Sequence, residues 1–90
     1  MTSTTRLFIG LGANLTPDGY ATPQAGCEAA VVMLGNLGVN VIRMSQWYKS
    51  EPIPPSDQPW YLNAVVEATT SFDAAETLAV LHQVEAHFGR

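Results

Sequence analysis

The sequence has few cysteines, few basic residues and no long apolar run, and each scarcity excludes a class of protein. Cys27 is the single cysteine, so an internal disulfide is impossible and a reducing compartment, the cytoplasm, is predicted. Four basic residues stand against eight acidic ones and are scattered, so no basic surface for nucleic acid is expected. We recognise no signal peptide and no apolar stretch long enough to cross a membrane.

The residues that are present are typical of one folded domain over residues 1–90. Hydrophobic residues make up 47% of the chain and charged residues 13%, which favours a globular structure over disorder. Thr22 before Pro23 predicts the start of a first helix, and Asp73 with Glu76 predicts the start of a second. The apolar stripes of these helices are predicted to be Cys27, Ala30, Val31, Leu34 and Leu37, and then Leu78, Leu81, Val84 and Phe88.

Three segments have the composition of strands: residues 7–12, 39–48 and 60–70. The resulting β-α-β-β-α order predicts an α+β fold, a ferredoxin-like sandwich that lacks its final core strand, with an antiparallel sheet and both helices on one face. The first strand is apolar on both faces, which suits the interior of a complete sheet. Without its neighbour, strand 7–12 becomes an open edge, and we expect this edge to favour a homodimer.

The third strand carries two different faces. Leu62, Ala64, Val66 and Ala68 alternate onto one side, which is predicted to be the core. Tyr61 and Asn63 begin the other side with a flat ring and a carboxamide that both donates and accepts hydrogen bonds. A planar heterocycle could stack near the ring and be recognised by the amide, although an ordinary half-buried strand would have the same pattern. The proline-rich segment 50–59 before it is stiff, so it costs little entropy to order against a ligand.

Four short motifs occur in order along the chain and carry a resemblance to a known family. They are Gly-Leu-Gly-Ala-Asn-Leu at 10–15, Ser45-x-x-Tyr48-x-Ser50-x-Pro52, the run with Asp57-Gln58-Pro59 and Tyr61-Leu62-Asn63-Ala64-Val65, and Val84-Glu85-x-x-x-Gly89-Arg90. With these motifs in register, the chain resembles 6-hydroxymethyl-7,8-dihydropterin pyrophosphokinase of folate biosynthesis. The resemblance spans nearly all ninety residues, but only the N-terminal half, or slightly more, of a typical member.

The resemblance implies an activity and a set of binding residues. In the family, the hydroxymethyl oxygen of the dihydropterin attacks the β-phosphorus of MgATP, which transfers pyrophosphate and releases AMP. ATP is then the cosubstrate and Mg²⁺ the metal of the intact enzyme. The positions that match the family's pterin pocket are Gly12, Ser50, Ile53, Tyr61 and Asn63. Those on its ATP side are Leu78, His82, Glu85 and Arg90, with His82 standing where some members have glutamine.

The family's Asp-x-Asp pair, which holds two Mg²⁺ ions, has no counterpart in these ninety residues. We therefore assign no metal ligand and no catalytic residue, and expect a truncated domain that carries the pterin half and is inactive alone. The alternative is a non-catalytic ferredoxin-like module that binds a small molecule or works through self-association. In either case the expected partners are small molecules and a second copy of the chain, without nucleic acid or membrane.

Overall fold

Four strands and two helices make up the described part of the chain. The structure is a computed structural model that describes residues 3–17 and 19–88. The elements are β1 (Thr5–Ala13), α1 (Pro23–Asn36), β2 (Asn40–Met44), β3 (Tyr48–Ser50), β4 (Tyr61–Thr70) and α2 (Ala74–His87). Neither helix is long and apolar enough to cross a membrane within the described ranges.

Both helices begin at the capping residues that the sequence predicts. At α1 the Thr22 side chain accepts a hydrogen bond from the backbone N–H of Ala25 at 3.0 Å. At α2 the Asp73 carboxylate accepts from Glu76 N at 2.8 Å, and the Glu76 carboxylate accepts from Asp73 N at 3.1 Å. Helix α1 ends just before Gly38, which follows the C-cap residue with φ of +100°, a conformation that glycine adopts without strain.

The long strand β4 lies at the centre of the sheet. It pairs antiparallel with β1 along one side, from Thr5 opposite Thr70 to Ala13 opposite Leu62. Its other side pairs antiparallel with β2 and β3. Within the described residues β1 has no second strand neighbour, so the open edge expected at 7–12 is present. The α+β class is confirmed, while the ferredoxin-like arrangement stays a prediction.

The single strand predicted over residues 39–48 is wrong, because the structure divides this segment into β2 and β3. The register against β4 shifts between Val41 and Arg43. Beyond β2, Ser45 bonds to Val65 in both directions. Its backbone N–H donates to the Val65 carbonyl at 2.8 Å, and its hydroxyl accepts from the Val65 N–H at 2.9 Å. Because a side-chain oxygen takes up a donor of β4 here, the regular backbone ladder is interrupted.

The hydrophobic core lies between the helices and the predicted face of β4. Ala64, Val66 and Ala68 are at most 1% exposed, which confirms that face as core. Residues of α1 and α2 join one cluster with it, among them Leu34 and Val84. The predicted stripe of α2 is wrong at Leu78, which is 52% exposed. Counting back from Phe88 in helical steps of four, three and four residues gives positions 84, 81 and 77. The core-facing stripe therefore passes through position 77, and Leu78 lies beside it.

Candidate functional site

Gly12, Asn63 and Tyr48 form one row across three strands. Asn63 of β4 is opposite Gly12 of β1 on one side and opposite Tyr48 of β3 on the other. Its neighbour in sequence, Ala64, is buried in the core, so Asn63 projects from the sheet face that lies away from the helices. In the next row along this face, Ser50 is opposite Tyr61. Four of the five predicted pterin residues therefore come together on one small area of the sheet.

The carboxamide of Asn63 is oriented by hydrogen bonds from its nitrogen. Nδ2 donates to the Ser50 hydroxyl oxygen at 2.8 Å. It also lies 3.4 Å from two backbone carbonyl oxygens, those of Tyr48 and Tyr61. Because these three acceptors all surround the nitrogen, the amide presents its carbonyl oxygen Oδ1 in the direction of β1. Oδ1 is an acceptor, so it suits a ligand that offers an N–H group.

Gly12 provides the space into which Oδ1 points. A Cβ atom added at this position would lie 3.0 Å from Asn63 Oδ1, which is closer than carbon and oxygen atoms normally pack. The absence of a side chain therefore permits both the orientation of the amide and access to it. The two residues form one unit, in which a backbone without a side chain lies beside a fixed hydrogen-bond acceptor.

Tyr61 and Ile53 supply apolar surface at the same end of the sheet. Tyr61 begins β4 and is 37% exposed, so part of its ring is available for stacking. Ile53 lies in the proline-rich loop three residues after Ser50, and its side chain is 95% exposed. The structure thus does not bring Ile53 into the group formed by the other four residues. An isoleucine this exposed gains free energy when a ligand or another segment covers it.

A groove of about 910 Å³ follows the edge of β1 and passes between this strand and the helices. Gly12 and Tyr61 line it, and so does Glu85 of α2. One residue predicted for the ATP side therefore shares a groove with two residues predicted for the pterin side. The volume is in the range of small-molecule pockets, and the groove is open to solvent along the strand edge.

The other residues predicted for the ATP side are not brought into this groove. Leu78 and His82 are exposed on α2 and do not line it. Arg90 lies outside the described residues. Residues 3–17 and 19–88 also contain no group of three or more His, Cys, Asp or Glu side chains arranged to hold a metal ion.

Asn14 and Gln58 form a contact that the sequence reasoning missed. The Asn14 side-chain nitrogen donates to Gln58 Oε1 at 3.0 Å, although the residues are 44 positions apart. Both belong to motifs that carry the family resemblance, and Asn14 follows Gly12 by two positions, so alternation along an extended chain could have placed it beside Gly12. Nothing in the sequence indicated that Gln58 was its partner.

Glu67 was also missed, and it is the buried charge of the outer sheet face. Its side chain is 9% exposed, and Arg43 of β2 lies 2.7 Å from its Oε1. Arg6 of β1 lies 3.5 Å from its other oxygen. The carboxylate on the central strand thus links both neighbouring strands by ion pairs. A lone glutamate in an apolar strand was the available signal, but the identity of its partners depends on strand pairing.

Residues 8–90 match the family described as 7,8-dihydro-6-hydroxymethylpterin-pyrophosphokinase. The chain is 34% identical to a 2-amino-4-hydroxy-6-hydroxymethyldihydropteridine pyrophosphokinase of Haemophilus influenzae over 84 residues, which are 92% of this chain and 49% of that protein. A protein of the same name from Synechocystis is 37% identical over 82 residues, 91% of this chain and 40% of the relative.

A relative with a different name is similar over a comparable length of the chain. The mitochondrial folate synthesis bifunctional protein of Arabidopsis thaliana is 40% identical over 84 residues, which cover 93% of this chain and 14% of that protein. The chain thus spans about half the length, or less, of these curated relatives.

Proposed function

Because the chain belongs to the 7,8-dihydro-6-hydroxymethylpterin-pyrophosphokinase family, we propose that it serves the pyrophosphokinase step of folate biosynthesis. In this reaction pyrophosphate passes from MgATP to the hydroxymethyl group of 6-hydroxymethyl-7,8-dihydropterin, and AMP is released. The observation that carries the proposal is the Asn63 carboxamide, held by Ser50 and turned toward Gly12. A non-catalytic binding module is not favoured, since the family match runs from residue 8 to residue 90.

The part of the site proposed for these ninety residues is the pterin pocket. Asn63 Oδ1 would accept a hydrogen bond from an N–H group of the pterin, and Ser50 would keep the amide in that orientation. Gly12 would let the flat ring approach the sheet, and Tyr61 would offer a partly exposed ring for stacking. The exposed side chain of Ile53 would cover the bound ring from the loop.

The ATP side of the proposal has less structural support. Leu78, His82, Glu85 and Arg90 are proposed on the basis of the family resemblance. For Glu85 there is additional support, because it lines the same groove as Gly12 and Tyr61. ATP and Mg²⁺ are proposed for the intact enzyme, but the described residues do not suit a magnesium site, so we derive no step through the metal. The contribution derived for this chain is positioning of the pterin hydroxymethyl group.

We also propose that the chain works in the cytoplasm and forms a homodimer through the open edge of strand 7–12. The single cysteine supports a reducing compartment. For the dimer, support comes from the unpaired edge of β1 within the described part of the chain and from Phe8, which is 66% exposed there. Sedimentation velocity should show a dimer that dissociates on dilution and that is lost in Phe8→Lys. A monomer at every concentration would refute the dimer.

The test of the pterin proposal is calorimetric titration of the ninety-residue chain with 6-hydroxymethylpterin. The wild-type chain should bind, and Asn63→Ala should weaken binding at least about tenfold, because a buried ligand donor would lose its acceptor. Asn40→Ala is the matched control, since Asn40 is exposed at the first position of β2 and opposite Thr69. Circular dichroism of each variant establishes folding. Equal affinity of Asn63→Ala and wild type would overturn the proposal.

A further inference from the structure

Two motif residues have no part in the proposed pocket, and they bond to each other. Asn14 belongs to the glycine-containing motif at 10–15 and follows the end of β1, and Gln58 lies in the proline-rich segment before β4. The Asn14 Nδ2 atom donates a hydrogen bond to Gln58 Oε1 at 3.0 Å. This bond connects two loops that are remote in sequence, since the residues are 44 positions apart.

The bond lies next to the residues proposed to hold the pterin. Asn14 comes directly after Ala13, the last residue of β1, and lines the groove together with Gly12 and Tyr61. Gln58 is three residues before Tyr61, the first residue of β4. The backbone N–H of Gln58 also donates to the Ser56 hydroxyl at 3.2 Å, which restrains the local chain. The start of one loop is thereby tied to the end of the other.

We propose that Asn14 and Gln58 are positioning residues that set the separation of the two loops for ligand binding. The inference rests on the proposed function, because the ligand is the pterin assigned to Tyr61 and Asn63. Ordering two independent loops when a ligand binds costs conformational entropy, which lowers the affinity. Two loops that are already joined lose less conformational entropy on binding. The pair acts on the pterin through the loops, so neither side chain needs to touch it.

Because Asn14 donates the hydrogen bond and Gln58 accepts it, a different substitution is informative at each residue. Gln58→Glu keeps an oxygen acceptor opposite the Asn14 amide, so the link should persist. Asn14→Leu has a similar size but neither donates nor accepts a hydrogen bond, so the link should break whichever way the Gln58 amide is turned. Gln58→Glu adds a negative charge and Asn14→Leu does not, so a purely electrostatic effect on the ligand would appear in Gln58→Glu alone.

The first experiment is a double-mutant cycle read by calorimetric titration with 6-hydroxymethylpterin. Asn14→Ala and Gln58→Ala should each weaken binding by about threefold to tenfold, the range for one hydrogen bond. The double variant should bind pterin no more weakly than the weaker-binding single variant, because both substitutions remove the same contact. Asn14→Leu should behave like Asn14→Ala, Gln58→Glu should stay near wild type, and Asn40→Ala serves as control. Multiplicative losses, or equal losses in Asn14→Leu and Gln58→Glu, would overturn the proposal.

The second experiment measures the loop link without ligand, so that it does not depend on the proposed function. Trp60 is two residues from Gln58 and 56% exposed, and Trp47→Phe makes it the sole tryptophan. Acrylamide quenching of Trp60 should increase in Asn14→Ala and Asn14→Leu, but not in Gln58→Glu. If wild type fails to bind pterin yet shows this pattern, the proposed function fails and the loop link stands. If pterin binds and quenching is unchanged by every variant, the link is refuted and the proposed function stands.

Discussion

Gly12 and Asn63 are opposite each other on neighbouring strands, and the amide oxygen of Asn63 lies in tight contact with the point where a side chain at position 12 would begin. A Cβ atom there would lie 3.0 Å from Oδ1. The Ser50 hydroxyl accepts a hydrogen bond from the nitrogen of the same amide at 2.8 Å, so both neighbours act on the orientation of one group. A substitution at either neighbour should therefore act on the ligand through Asn63.

Gly12→Ala should weaken pterin binding by about tenfold while leaving the fold intact. The added methyl group displaces Oδ1 and removes the acceptor from its position, a loss of roughly one ligand hydrogen bond. Stability should change by less than about 1 kcal/mol, because alanine reduces the entropy of the unfolded chain. Titration and urea unfolding measure the two effects.

The matched control for this prediction is Gly10→Ala. It lies on the same strand and the same face, but its added Cβ would have nothing within 4 Å. Gly10→Ala should bind pterin like wild type. An equal loss of affinity in both variants would mean that the strand, rather than the Asn63 contact, is responsible.

Ser50→Ala should weaken pterin binding about threefold to tenfold, because the Asn63 nitrogen loses its shortest hydrogen bond and the amide can rotate. Ser50→Thr keeps the hydroxyl and should bind within about twofold of wild type, a difference well below the value of one hydrogen bond. Calorimetric titration of the three proteins is the measurement. If Ser50→Thr loses as much affinity as Ser50→Ala, the orienting role of the hydroxyl is wrong.

Arg43→Ala should destabilise the chain more than Arg6→Ala. Arg43 contacts the buried Glu67 carboxylate at 2.7 Å, whereas Arg6 is 3.5 Å away. Both arginine side chains are mostly exposed, so removing either one loses little packing, and the main cost is leaving the buried Glu67 carboxylate with fewer partners. We expect about 1–2 kcal/mol for Arg43→Ala and less than about 1 kcal/mol for Arg6→Ala by urea unfolding. Lys49→Ala, at an exposed position of β3, should change little, and equal costs for the two arginines would contradict this ranking.

Asp73→Ala should lower the free energy of unfolding by about 1 kcal/mol, because the backbone N–H of Glu76 loses its acceptor at the start of α2. Asp73→Ser preserves an N-cap oxygen and should recover most of that loss. Ser71→Ala, two residues earlier and exposed, is the control. Thermal and urea unfolding, followed by circular dichroism, measure the differences. A stable Asp73→Ala variant would show that α2 is held by packing alone.

Much of the fold could be predicted because its signals are local. The cap at Thr22 and the capping box at Asp73 depend on atoms three residues away, so the sequence specifies them directly. Alternation along β4 likewise separates core from outer face without knowledge of the neighbouring strands. The family motifs added predicted binding residues, and four of the five positions predicted for pterin lie together in the structure.

The sequence by itself determined the two helix starts, the core face of β4 and the family of the protein. Tertiary structure decided the break at Ser45, the exposure of Leu78, and the partners of Glu67 and Gln58. The physical reason is the same in each case. These features depend on contacts between residues far apart in the chain, and a side chain's local propensity carries no information about which strand or loop will lie beside it.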